Sequence, residues 1–303
     1  MSFAASPPPR RLLAVHAHPD DEALYNGATL ARYAAEGTQV TVVTCTQGEE
    51  GEVLLPELEP LTSTRGDQLG GYRVGELAAA MTALGVDDHR WLGGSGHYRD
   101  SGMVGTGSTA HPASFHRADP DEAAGHLVAV VREVRPQVVL TYDDNGGYGH
   151  PDHIRAQQTT HRAVELAADP GFRPELGRPW RADRLFWSVV PDSVHRAGLT
   201  AAAQAAAALG LTAPDPAHTL VRPVADDRVS VVVPGARHAA AKHAAMAAYR
   251  SQLFFGADPG WYALTNQVAQ RFEADEYYLL AAGTPLPATP ATDLFDGLSD
   301  GPR

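Results

Sequence analysis

The sequence predicts an α/β fold with a mostly parallel, Rossmann-like sheet flanked by helices. Short apolar runs rich in β-branched residues alternate with longer helical patterns, which is typical of βαβ units. Two dense clusters of histidine and aspartate also follow directly after predicted strands, where α/β proteins place their sites. A chain of 303 residues with 44% hydrophobic residues is long enough to bury the core that such a fold needs.

The first predicted strand covers residues 11–18, where the apolar run LLAV leads into the first cluster. Asp20 or Asp21 is a candidate cap for the helix that follows, and Gly37 ends that helix. The later strands are predicted over residues 39–46, 89–92, 137–142, 183–190 and 228–233. The later helices are predicted over residues 65–84, 121–134, 154–168 and 237–251.

The irregular segments set the expected domain organisation. We expect residues 1–10 to be disordered, residues 11–190 to form the catalytic core, and residues 191–282 to form a small C-terminal extension. The tail, residues 283–303, is expected to be ordered only by docking. The loop over residues 93–118 is long enough to be functional or mobile, and the Ala-rich stretch 201–208 is either helical or a flexible insert.

Composition and charge exclude several classes of protein. A formal charge of −12 without a run of basic residues argues against nucleic acid as a partner. The start of the chain has too short an apolar stretch for a signal peptide, and no segment is apolar enough to span a membrane. Cys45 is the single cysteine and is expected to be a buried, inert thiol. These features favour a cytoplasmic protein.

Both polar clusters contain His-Pro-Asp: HAHPDDE at residues 16–22 and GHPDH at residues 149–153. Two histidines and a carboxylate from separate loops make the three-ligand set of a catalytic zinc site, although Fe²⁺ or Co²⁺ suits the same ligands. The two clusters lie far apart in the sequence, so their spacing alone is a weak signal. Solvated helix caps remain the alternative explanation at this point.

These motifs resemble those of the LmbE-like (PIG-L) zinc deacetylases, and in particular the branch that acts in mycothiol biosynthesis. The segments VTCTQGEEGEV, DQLGGYRVGEL, YRDSGM and TYDDNGGYGHPDH extend the resemblance over residues 11–170 and, more loosely, to about residue 280. The resemblance implies an LmbE-like fold and a small amidated amino sugar as the partner. It also implies removal of acetate from N-acetylglucosaminyl-inositol.

The resemblance assigns roles residue by residue. It implies that each chain binds one Zn²⁺, with His18, Asp21 and His153 as the ligands. Asp20 matches the general base that takes a proton from the attacking water. Tyr148 and His150 match residues that assist at the oxyanion or the departing amine, and Asp152 would orient an imidazole. The positions that match contacts with sugar or inositol hydroxyls are Glu52, Arg73 and Asp100.

Three alternatives stay open, two from the residues and one within the family that the sequence resembles. A Rossmann nucleotide-binding protein lacks support, because the first turn carries no G-x-G-x-x-G. A non-catalytic binding module would not need Asp20 beside a metal. The related amidase of mycothiol S-conjugates shares the metal site but, on the resemblance, carries a lysine where residues 23–27 have none. His16 is expected to pack or support the ligands, and the other ten histidines to be surface or loop residues.

Overall fold

A seven-stranded sheet forms the centre of the computed structural model, which describes residues 10–298. The expected disorder before residue 10 therefore lies outside the described residues. The strands of this sheet are β1 (Arg11–His16), β2 (Gln39–Thr44), β3 (Asp88–Trp91), β4 (Val138–Tyr142), β5 (Arg184–Val189), β6 (Val231–Val233) and β10 (Glu276–Gly283). Their order is β3-β2-β1-β4-β5-β10-β6. The first five of these are mutually parallel, and β10 runs antiparallel to β5 and β6.

Helices cover both faces of the sheet. They are α1 (Asp21–Ala35), α2 (Leu69–Leu84), α3 (Pro120–Val134), α4 (Gly146–Gly149), α5 (Pro151–Ala167), α6 (Asp192–Leu209) and α7 (Ala239–Ala248). Helices α1, α2 and α7 pack together on one face, and α3 packs against α5 on the other. The predicted α/β fold with a mostly parallel sheet is confirmed.

The apolar runs of the sequence are continuous because β1 is buried on both faces. Leu12 and Ala14 belong to the core under α1, α2 and α7. Leu13 and Val15 belong to the core under α3 and α5. Successive side chains of a strand point to opposite faces, so a doubly covered strand needs apolar residues at every position.

The C-terminal third is built into the same sheet. β10 lies between β5 and β6, although the sequence analysis assigned no strand to residues 276–283. The Ala-rich stretch is helical and forms part of α6. A small second sheet, β7 (Phe254–Phe255), β8 (Trp261–Ala263) and β9 (Gln270–Arg271), was not predicted either.

Several predicted boundaries were wrong near the two polar clusters. The first strand ends at His16, so His18 lies in the turn before α1. Helix α5 begins at Pro151, which places Asp152 and His153 in its first turn rather than in a loop. Proline suits the first helical position because its missing N–H needs no partner there. The Asp20 side chain makes no capping hydrogen bond to α1.

Strand order places the two clusters side by side. β1 and β4 are neighbours at the centre of the sheet, but α1 follows β1 on one face and α5 follows β4 on the other. A crevice forms outside the carboxyl ends of parallel strands where their connections diverge in this way. Within the described residues, no helix is long and apolar enough to cross a membrane.

Candidate metal and catalytic site

Three segments meet in this crevice. The turn from β1 to α1 supplies His18, Asp20 and Asp21, and the first turn of α5 supplies Asp152 and His153. The third segment is the loop over residues 93–118, which carries Asp100 and Ser101 to the same place. The structure thus brings together residues that lie as far as 135 positions apart in the sequence.

Three ligand-type side chains converge on one point. The Nδ1 atom of His18 lies 3.2 Å from Nε2 of His153. The Asp21 carboxylate completes the triangle, with Oδ2 at 3.6 Å from His18 Nδ1 and Oδ1 at 3.4 Å from His153 Nε2. Ligands about 2.0–2.1 Å from a tetrahedral Zn²⁺ lie about 3.3 Å from one another. The two ring nitrogens and the Asp21 carboxylate thus lie at distances close to those between the ligands of a divalent metal.

The hydrogen-bond partners of the two rings leave lone pairs at this point. Nδ1 of His153 lies 3.0 Å from the Gly146 carbonyl oxygen, so Nδ1 carries the proton and Nε2 presents a lone pair. Nε2 of His18 faces the carboxylates of Asp152 at 3.3 Å and Asp100 at 3.4 Å, so in the neutral ring Nε2 carries the proton and Nδ1 presents the lone pair. Two lone pairs and a carboxylate cannot satisfy one another, but a cation satisfies all three.

The Asp21 carboxylate is oriented by its other contacts. Its Oδ2 accepts hydrogen bonds from the Tyr142 hydroxyl at 2.7 Å and the His18 backbone N–H at 2.8 Å. Burial would raise the pKa of Asp21, but His153 and His18 outweigh burial and lower it to about 2. The Asp21 carboxylate is therefore ionised, and the residues present fit a divalent metal.

The charges around His18 also call for a cation. Burial alone would lower the pKa of His18, but the Asp100 and Asp152 carboxylates raise it well above its ordinary value. A proton or a metal ion supplies the positive charge that this cluster needs. His150 also brings a ring nitrogen within 4.8 Å of His18 and His153, so it is an alternative ligand.

Asp20 precedes Asp21 in the sequence, but its carboxylate contacts Arg73 instead of the two histidines. Its Oδ2 accepts a hydrogen bond from Nη2 of Arg73 at 2.9 Å. Burial raises the pKa of the Asp20 carboxyl to about 7, against the opposing effect of the Arg73 guanidinium. A carboxylate with such a pKa suits proton transfer near neutral pH.

Arg73 is buried and belongs to this site. Its guanidinium also donates to the backbone carbonyls of Pro19 and, at 3.0 Å, Gly48. Gly48 has a φ of 67°, and a Cβ there would collide with the guanidinium. Arg73 thus fixes the turn that carries Asp20, and contact with substrate hydroxyls stays a prediction.

Tyr148 and His150 line the same crevice in neutral forms. The Tyr148 ring lies 4.9 Å from the His153 ring, and burial raises the pKa of Tyr148 well above its ordinary value. Burial and the imidazoles of His18 and His153 lower the pKa of His150 to about 2. His150 Nδ1 accepts the Asp152 N–H at 3.2 Å, so the neutral ring carries its proton on Nε2.

The sequence left the partner of Asp152 open, and the structure supplies it. The carboxylate faces His18 Nε2 and accepts hydrogen bonds from the backbone N–H and hydroxyl of Ser101. Asp100 lies 3.4 Å from His18 Nε2 and 4.0 Å from His150 Nε2. Burial opposes its ionisation, but His18 and His150 hold the pKa of Asp100 well below its usual range. Two carboxylates thus orient the His18 ring.

Within residues 10–298, the Glu52 side chain forms no hydrogen bond or ion pair with this cluster. Its side chain is exposed, and its backbone carbonyl accepts the Gln252 amide at 2.8 Å. His16 is buried, packs edge-on against Tyr142, and has its pKa lowered to about 4 by burial. His16 thus packs on Tyr142, the residue that donates a hydrogen bond to Asp21.

Sequence reasoning missed two residues that support Asp20. Tyr249, at the end of α7, donates a hydrogen bond to Glu22 Oε1 at 2.5 Å. Glu22 Oε2 accepts the Asp20 backbone N–H at 3.2 Å. Glu22 is visible as the last letter of HPDDE, but no local pattern marks Tyr249 as its partner.

Comparison with known proteins agrees with this geometry. The PIG-L family, described as GlcNAc-PI de-N-acetylase, matches residues 13–164. A 1D-myo-inositol 2-acetamido-2-deoxy-alpha-D-glucopyranoside deacetylase of Geodermatophilus obscurus is 55% identical over 296 residues, which cover 96% of this chain and 99% of the relative. The protein of the same name from Streptomyces avermitilis is 53% identical over 292 residues, covering 96% and 98% of the two chains.

A solved structure shares the fold. The conserved protein TT1542 of Thermus thermophilus superposes with a TM-score of 0.50 at 27% identity, covering 80% of this chain and 79% of that chain. Both polar clusters that form the crevice lie within the residues that match the family. The chain belongs to the PIG-L family.

Proposed function

We propose that this chain is a zinc-dependent hydrolase that removes acetate from N-acetylglucosaminyl-inositol, the reaction of mycothiol biosynthesis. The observation that carries the proposal is the convergence of His18 Nδ1, His153 Nε2 and the Asp21 carboxylate beside Asp20. Relatives at about half identity over nearly the whole chain bear the name of this deacetylase.

The chemistry divides between the metal and the neighbouring side chains. His18, Asp21 and His153 would hold a divalent metal, which would supply Lewis-acid polarisation of the amide carbonyl and would lower the pKa of water. Asp20 accepts the proton of the water that attacks the carbonyl carbon. The C–N bond of the tetrahedral intermediate then breaks, and the products are acetate and the free amine. The proton held by Asp20 is available to that amine.

In this proposal, two neutral side chains donate hydrogen bonds to the carbonyl oxygen of the substrate amide. Tyr148 keeps its phenolic proton at neutral pH, and His150 presents Nε2–H. Donors of this kind stabilise the negative charge that develops on the oxygen in the transition state. Asp152 and Asp100 keep the His18 ring in place.

The acyl side of the crevice favours a small group. Residues 23–27 contain no lysine, and the Tyr25 ring packs edge-on against those of Tyr142 and His153. Its ring lies 6.1 Å from that of His153, and a Cβ on Gly147 would come within 2.6 Å of its hydroxyl. This packing supports an acetyl group over the larger acyl group of a mycothiol S-conjugate.

Two assays on one preparation test the proposal. Release of amine and acetate from N-acetylglucosaminyl-inositol is measured beside cleavage of bimane-mycothiol, with metal content determined by elemental analysis. We expect faster turnover of the acetylated sugar-inositol and loss of activity after chelation. Faster cleavage of the S-conjugate would support the amidase instead, and full activity in protein free of metal would exclude the mechanism.

His153→Ala tests the metal ligands. Removal of one of three protein ligands should lower both metal content and rate, because the remaining pair binds the metal much more weakly. His218→Ala is the matched control, since His218 is exposed and lies on a distant surface segment. A His153→Ala protein with full metal content would remove His153 from the ligand set.

A further inference from the structure

A second group of metal-type side chains lies outside the candidate active site. His97 lies in the loop that follows β3, and Glu122 and His126 lie one turn apart on α3. We propose that these three side chains form a second metal site, which binds a transition-metal ion such as Zn²⁺, Ni²⁺ or Co²⁺.

The ligand atoms are already close to one another. Glu122 Oε1 lies 3.0 Å from His97 Nε2 and 3.7 Å from His126 Nε2. All three ligand atoms lie within 4.8 Å of one another, and the two rings are 4.9 Å apart. A glutamate and a histidine four residues apart share one face of a helix, so α3 presents both to the loop. Only small side-chain movements would bring the three atoms to bonding distance of one ion.

Of the three side chains, His126 gives the strongest evidence for a bound ion. Its Nε2 is shielded from solvent and makes no hydrogen bond within residues 10–298. Buried ring nitrogens are normally satisfied, so this atom calls for a partner. A simple hydrogen bond between His97 and Glu122 explains those two residues, but it leaves His126 Nε2 without a hydrogen bond, 3.7 Å from the same Glu122 oxygen. A shared metal ion satisfies all three.

The rings are held in place before any metal binds. Gly93 has a φ of 73°, and a Cβ there would come within 2.7 Å of His97 Cδ2 and 3.2 Å of His126 Cδ2. Both rings therefore pack on the bare backbone of Gly93. The side chains of His97 and Glu122 remain partly exposed, so an ion can enter from solvent.

The chemistry of the set selects the class of metal. Two imidazoles and one carboxylate suit Zn²⁺, Ni²⁺ or Co²⁺ and are poor ligands for Mg²⁺ or Ca²⁺, which prefer oxygen. His97 lies three residues before Asp100 on the same loop. A metal at this site would therefore tie the loop that carries Asp100 to α3, and would stabilise the folded protein by linkage.

Metal stoichiometry tests the proposal on the full chain. The protein is titrated with Co²⁺ by equilibrium dialysis, and bound cobalt is measured by elemental analysis and by its visible absorption. We expect two ions per wild-type chain and one in both His126→Gln and Glu122→Gln, with a visible spectrum that loses the second component. His153→Ala should keep the second site, so a failure of the proposed active site is distinguishable from a failure of this one.

A control variant and a measurement of the metal affinity of the second site complete the test. His116→Gln changes an exposed histidine of the same loop and should still bind two ions. Loss of an outer-shell partner already costs about 10- to 100-fold in metal affinity, so loss of a ligand should weaken the second site by more than about 100-fold. If His126→Gln and Glu122→Gln both retain every ion that the wild-type chain binds, whether one or two, the proposal is overturned. Because Glu122→Gln changes a half-exposed side chain, it remains informative if His126→Gln fails to fold.

Discussion

Asp20 is held in a backbone conformation that residues with a side chain seldom adopt. Its φ is 105°, and such strain costs on the order of 1–3 kcal/mol. Glu22 accepts its backbone N–H, and Arg73 donates to its carboxylate, so these contacts on both sides maintain the conformation. The consequence is that the Asp20 carboxylate contacts the Arg73 guanidinium instead of capping α1.

We predict that Asp20→Asn keeps its metal but loses turnover. The amide cannot accept a proton from the attacking water, and general-base catalysis contributes about 10²–10⁴-fold. Steady-state kcat and metal content are measured on the same preparation, with Asp87→Asn as the control because Asp87 is exposed and distant. Turnover near that of the wild type in metal-replete Asp20→Asn would refute the assignment, whereas loss of metal would make Asp20 a ligand.

Arg73→Ala is predicted to impair the reaction on every acetylated substrate. The contact with Asp20 does not depend on the inositol, so kcat should fall for N-acetylglucosaminyl-inositol and for N-acetylglucosamine alike. Loss of a hydrogen bond to a charged group costs about 1.5–3 kcal/mol, or about 10- to 150-fold in rate. Arg65→Ala, at an exposed arginine, serves as the control. A defect confined to the inositol substrate would instead assign Arg73 to hydroxyl recognition.

At the scale of elements, what could be predicted depended on the range of the contacts. His18, Asp21 and His153 lie in short motifs at strand ends, so local patterns marked both halves of the site. The Glu22–Tyr249 contact joins residues 227 positions apart, and no local pattern reports such a pairing. Strand β10 was missed for a related reason, because its place between β5 and β6 is set by packing. The early start of α5 reflects the ability of proline to open a helix.

Strand β3 contains a histidine, His89, whose titration should affect the free energy of unfolding. Burial lowers the pKa of His89 to about 4, against the opposing effect of Asp88. Between pH 6.5 and pH 4 the unfolded chain binds a proton that the folded chain does not, so His89 costs stability as the pH falls through this range. We predict that His89→Gln, which can still contact Thr44, reduces the loss of stability from pH 7.5 to pH 5. Urea unfolding at both pH values measures the change in the free energy of unfolding. The exposed His116→Gln is the control, and an unchanged difference in His89→Gln would contradict the prediction.

At the scale of the whole molecule, one buried carboxylate joins the N-terminal half of the sheet to the C-terminal region. Glu276, at the start of β10, accepts hydrogen bonds from the backbone N–H groups of Ala28 and Thr29 in α1, at 2.9 and 2.8 Å. It also pairs at 2.8 Å with Lys242 of α7, which is the single lysine of the sequence. Because α1 begins at the candidate catalytic turn, this contact links the C-terminal elements to the placement of the site.

Lys242→Met should therefore destabilise the whole fold rather than one end of it. Removing one partner of a buried ion pair typically costs about 3–5 kcal/mol, because the remaining charge stays buried. The backbone N–H groups of Ala28 and Thr29 still donate to Glu276, so the loss of stability should lie near the lower end of this range. Urea unfolding should show a single transition at lower denaturant, and the double variant Lys242→Met with Glu276→Gln should recover part of the loss, since it leaves no unpaired charge. Arg250→Met is a control at an exposed position next to α7. If Lys242→Met unfolded like the wild type, or if only the C-terminal elements melted early, the pair would not connect the two parts of the sheet.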